Sequence, residues 1–90
     1  MSDGFKIVLP SQASVTGSFE AVASLYQQIL DKAIELLKDN LPPWEVVEAA
    51  VRAAYDSYIR PLALPNILDN ILCNALVDQV KKIYDQLAAQ

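Results

Sequence analysis

SFEAVASLYQQILDKAIELLKDN, residues 18–40, decides the fold class. Phe19, Val22, Tyr26, Ile29, Ala33 and Leu36 alternate at spacings of three and four, the signature of a helix with an apolar seam. Leu25, Leu30, Ile34, Leu37 and Leu41 widen that seam to about half the circumference at 100° per residue. Glu20, Ser24, Gln27, Asp31, Glu35 and Lys38 occupy the other half. Ser18 is placed to cap the start, and Glu20 falls where the helix dipole favours an acid. An apolar arc that wide touches two neighbouring helices at once.

The chain after residue 40 supplies two more helices. Leu41-Pro42-Pro43 stops the first, because a proline restricts the residue before it and cannot continue the ladder. Pro43 then suits the opening of a second helix, residues 43–59. Its polar strip is narrow: Glu45, Glu48, Arg52 and Asp56. The rest is Trp44, Val46, Val47, Val51, Tyr55, Tyr58 and four alanines, Ala49, Ala50, Ala53 and Ala54, which let another segment approach closely. Residues 60–66, RPLALPN, form the second break. Asn66 is the expected cap of a third helix, residues 66–88, with Asp69 at the capping-box position. Asn70, Asn74, Asp78, Lys81 and Asp85 form its polar stripe, and Leu72, Leu76, Val80, Ile83, Tyr84 and Leu87 its apolar one. The expectation is an all-α fold, a small three-helix bundle spanning residues 18–90. Its expected core is Val22, Leu25, Tyr26, Ile29, Ala33, Leu36, Val47, Val51, Ala54, Leu72, Leu76, Val80 and Ile83.

Residues 1–17 read differently, as an extended N-terminal arm. FKIVLP, residues 5–10, is strand-like, and the uncharged SQASVTGS that follows is of linker type. In an extended chain Phe5, Ile7 and Leu9 share one side, with Lys6 and Val8 on the other. The arm has no second strand within the chain to pair with. Docking on another molecule is therefore expected to order residues 5–9, with packing on the chain's own bundle the alternative.

Composition removes most chemistries. The chain has 90 residues and no histidine, so the commonest general base and metal ligand are missing. Its single cysteine, Cys73, excludes an internal disulfide and a zinc cluster. With no basic neighbour in sequence, Cys73 reads as a small buried hydrophobe rather than a nucleophile. Glycine occurs only at 4 and 17, so neither a dinucleotide fingerprint nor a phosphate loop is possible. No catalytic residue, metal site or cofactor is expected, and an enzyme is not.

Charge points the same way. The net charge is −4, and the nearest approach to a basic run, Lys81-Lys82, is flanked by Asp78 and Asp85. Phosphate backbones and anionic membrane surfaces need clustered cations, so neither nucleic acid nor membrane is an expected partner. With no visible signal peptide, a cytoplasmic location is expected.

What remains is an apolar surplus. Fifty-three per cent of the residues are apolar, more than a core this small absorbs easily. The expected function is a non-catalytic protein–protein interaction module, a homodimer or a subunit, adaptor or inhibitor on a larger partner. The alternative is a carrier or sensor of a hydrophobic small molecule, held in a cavity between alanine-lined helices. Candidate contact residues are Phe5, Ile7 and Leu9 of the arm, with Trp44, Tyr55, Tyr58 and Arg60, residue types that dominate interface hot spots. Core packing is the competing role for those aromatics. A self-interface is expected to draw on the first and second helices, near Val46 and Ala50.

Overall fold

The computed structural model describes residues 5–9 and 19–90. Three helices follow one another: α1 (Phe19–Asp39), α2 (Trp44–Tyr58) and α3 (Asn66–Ala88), with a single 3-10 turn, Arg60–Leu62, between the last two. The three pack mutually. This is the expected three-helix bundle, with helix ends within one residue of those read from the sequence. The expected cap at Ser18 and the linker that precedes it lie outside the described residues.

Prolines start both later helices. Pro43 and Pro65 hold the same N-cap conformation, φ −56° and ψ 145°, and neither helix has a side-chain cap. A proline carbonyl does the capping work that remains: Val47 N–H donates to Pro43 O at 3.3 Å, and Asp69 N–H to Pro65 O at 2.9 Å. Asn66 is therefore inside the helix rather than its cap, a correction to the sequence reading. The pyrrolidine ring presets the φ needed before the first turn, so no polar side chain is required there. Between α2 and α3 the chain reverses through Ala63, whose φ of 60° is left-handed. An alanine there costs roughly 1–2 kcal/mol relative to a right-handed residue.

The core runs through the middle of the bundle. Ile29, Val47, Val51, Tyr55, Ile59, Leu76 and Val80 are fully buried. Nine of the thirteen expected core residues are buried, while Tyr26, Leu36, Leu72 and Ile83 sit at the core border. In the last turns of α1 Leu37 takes the place expected of Leu36. Leu25, Ile29, Ala33 and Leu37 follow one i, i+4 row, which slants across the helix surface. The sequence reading assumed a heptad seam, whose 3.5-residue period drifts about 20° per heptad against a straight helix. By residue 36 that drift has turned the seam off the core.

Residues 5–9 lie against their own bundle. Ile7 and Leu9 are buried and Phe5 half-buried, while Lys6 and Val8 face solvent, so the period-two alternation holds. Phe5, Lys6, Ile7 and Val8 share a cleft of about 190 Å³ with Ala50, Ala53, Ala54, Ser57 and Tyr58 of α2. Leu9 N–H donates to the Tyr58 hydroxyl at 3.2 Å, and Leu9 lines an open hollow with Gln28, Asp31, Lys32 and Glu35 of α1. This is the arrangement given as the alternative for residues 5–9, packing on the chain's own bundle, and the alanines of α2 leave the channel that admits an extended segment. Among the described residues, no helix is long and apolar enough to cross a membrane.

Candidate interaction surface

Two uncharged segments meet at one end of the bundle. Residues 21–30 of α1, AVASLYQQIL, carry no charge, and residues 66–77 of α3, NILDNILCNALV, carry one, Asp69. Asp69 is turned inward and buried. At 100° per residue, Ile67 and Ile71 lie two positions to either side of Asp69 and so point away from the core. They are 76% and 58% exposed, and Phe19 at the start of α1 is 78% exposed. Beside these ridges runs an open groove of about 420 Å³, lined by Phe19, Val22, Ala23, Tyr26, Gln27, Leu68 and Leu72. Not one of its lining residues is charged.

The rotation of α3 that creates this face has a specific cause. The Tyr55 hydroxyl donates to Asp69 Oδ1 at 2.6 Å, inside the bundle. Burial, and then the hydrogen bond to Asp69, push the Tyr55 hydroxyl pKa well above its ordinary value. Arg60 stands at the edge of the same cluster. Its guanidinium lies 3.9 Å from Asp69 Oδ2, donates to Asp56 Oδ1 at 2.7 Å and sits 5.7 Å from the centre of the Tyr55 ring. An acid in the first turn, buried and partnered across the bundle, fixes which side of α3 faces in. Asp69 is thus an inter-helix fastener and not the capping residue that its position in sequence suggested. A second tie lies at the groove's far end, where the Tyr26 hydroxyl donates to Gln79 Oε1 at 2.8 Å. Burial and the nearby Asp78 raise the Tyr26 pKa as well.

The residues singled out from sequence fall in three places. Ile7, Leu9 and Tyr55 are buried and present no surface. Tyr58 is half-buried and fastens Leu9, while Arg60 is exposed but engaged with Asp56 and Asp69. Trp44 stands at the opposite end of α2, edge-on to Tyr84 at 5.3 Å, with Lys81 Nζ 5.5 Å from its ring centre. Tyr84 in turn donates to the Pro42 carbonyl at 2.6 Å. These aromatics join elements of one bundle rather than forming one patch. Cys73 is buried, and Arg52 Nη1 lies 3.7 Å from its sulfur.

Phe19, Ile67 and Ile71 were not singled out. The available signal was that Ile67 and Ile71 flank the Asn70–Asn74 polar stripe, away from the Leu72–Leu76 apolar side, in a segment with one charge. Among the described residues, no group of acids and cysteine is placed to hold a metal ion. No protein-family model, curated protein or solved structure matches the chain.

Proposed function

We propose that the chain is a non-catalytic protein–protein interaction module that docks through the α1/α3 face. One observation carries this reading: Phe19, Ile67 and Ile71 stand exposed beside an uncharged groove. Contiguous exposed apolar surface of this kind marks association sites. Depletion of charge at the centre of the patch is the compositional signal of an interface core. The lack of histidine and the single buried cysteine support a binding role over a catalytic one. A carrier of small molecules needs a pocket that encloses most of its ligand. This groove is open along its length, which favours docking of another chain.

The test compares the wild-type chain with the triple variant Phe19→Ser, Ile67→Ser, Ile71→Ser. Both are crosslinked in lysate of the native host and in purified solution at the same concentration. Crosslinked species formed by the wild type and lost in a variant of unchanged helical circular dichroism support the reading. Identical crosslinking of the two proteins overturns it.

A further inference from the structure

We infer that the occupant of the α1/α3 face is a second copy of this chain, docked about a two-fold axis; this rests on the docking reading above. Charge supplies the first argument. Each copy carries a net charge of −4, so two copies repel one another over most of their surfaces. The α1/α3 face is where that repulsion is weakest. The groove lining is uncharged, residues 21–30 hold no charge, and the one acid of residues 66–77 is buried and hydrogen-bonded to Tyr55. A partner of different sequence on an acidic protein gains rate and selectivity from a charged contact surface. This face offers such a partner two acids at its margins, Glu20 at the start of α1 and Asp78 near Tyr26, and no charge in the groove itself.

Shape is the second argument. A two-fold interface uses the same patch on both copies, so the patch has to hold both the projection and the recess. Here both are present side by side. Phe19, Ile67 and Ile71 project, and the groove between α1 and α3 lies next to them. The ridge of one copy meets the groove of the other and the same contact is repeated across the axis.

Area is the third. Taking a fully exposed large side chain as roughly 200 Å², the three exposed residues alone present on the order of 400 Å² per copy. With Tyr26, Leu68 and Leu72 along the groove, the patch reaches on the order of 500 Å² per copy, about the 1,000 Å² in total at which specific interfaces begin. A face of that size suits one copy of a small bundle.

The experiment uses the full chain labelled with ¹⁵N and recorded from about 10 µM to 1 mM alongside sedimentation equilibrium. The expected result is a concentration-dependent dimer, with amide shifts that move on dilution confined to residues 19–27 and 66–75. Ile71→Asp, which places a charge in each copy's contact face, should weaken the dimer at least ~30-fold, with the melting temperature unchanged at dilutions where both proteins are monomeric. A strict monomer at 1 mM overturns the self-pairing. So does a dimer whose shifts map to Val46 and Ala50 of α2. If the chain is monomeric but Ser substitutions at 19, 67 and 71 still abolish crosslinking in host lysate, the docking face stands and only its occupant is wrong. Should neither assay respond to the face variants, the docking reading fails together with this inference.

Discussion

Where α2 meets residues 5–9, small side chains make a channel; where α1 meets α3, large ones make ridges. Ala50, Ala53 and Ala54 let Ile7 sink into the bundle, and Leu9 is fastened by the Tyr58 hydroxyl. Phe19, Ile67 and Ile71 stand out into solvent beside an open groove. Both regions are apolar and both lie at the seam of two helices. The recessed apolar surface is covered by a segment of the same chain, whereas the protruding one stands in solvent. In a chain with this many apolar residues, side-chain size decides which surplus stays inside the molecule and which is offered outward.

The sharpest test of that contrast lies within α3. Leu76 and Ile67 are on one helix, the first fully buried and the second 76% exposed. Leu76→Ala should cost about 2–5 kcal/mol in chemical denaturation, and Ile67→Ala less than about 0.5 kcal/mol for the monomer. Equal losses would mean that the ridge is part of the core. The next largest effect concerns the covered region. Replacing Ile7 by Ser should remove about 1.5–3 kcal/mol, and Leu9→Ser taken singly a similar amount. Deleting residues 1–12 should likewise lower the melting temperature while helical circular dichroism and self-association persist. Loss of association at an unchanged melting temperature would assign the arm, not the α1/α3 face, to the contact with another molecule.

Smaller still is the effect of the fastener between the two regions. Asp69→Ala leaves the buried Tyr55 hydroxyl without its acceptor, at about 1–3 kcal/mol. The same pair predicts an alkaline limit. The folded pKa of Tyr55 is raised above the unfolded value near 10, so the native state holds its proton more tightly. That contribution is complete below pH 10 and is lost as pH rises from there toward the folded value. Tyr26 shifts in the same direction. Thermal melts should therefore show an extra decline above about pH 10 that Tyr55→Phe reduces; an unchanged slope in that variant would separate Tyr55 from it. The smallest effect belongs to the connection. Ala63→Gly relieves the left-handed alanine but frees the unfolded chain, for a net gain of up to about 1 kcal/mol.

Most of the fold was legible because its punctuation is local. Prolines at 42, 43, 61 and 65 act on their immediate neighbours, and the spacing of Val22, Leu25, Ile29 and Ala33 reports a helix without reference to anything distant. What depended on partners was read less well. The choice of Leu37 over Leu36 follows from the drift of a heptad seam against a straight helix, which shows only once the buried row is known. Asp69 lay on the apolar side of α3 by angle alone, yet its first-turn position suggested a cap; the deciding fact was Tyr55, fourteen residues away. Ile67 and Ile71 were missed for the same reason. Which side of α3 faces inward depends on Tyr55 as well as on the buried Asp69, Cys73 and Leu76, and Tyr55 lies outside residues 66–77.

That bond also governs sliding. Apolar stripes tolerate a shift of one helix along another, because buried apolar side chains such as Leu76 and Val80 repeat one turn apart. A slip of one turn, about 5.4 Å, would keep apolar against apolar but would part Tyr55 from Asp69. Two buried polar groups would then lack partners, each at about 1–3 kcal/mol. A lone polar pair in an apolar seam selects one alignment in this way. Its consequence reaches the opposite side of α3: with the helix held at one height, Leu68 and Leu72 stay level with Val22 and Tyr26, and the groove keeps its walls.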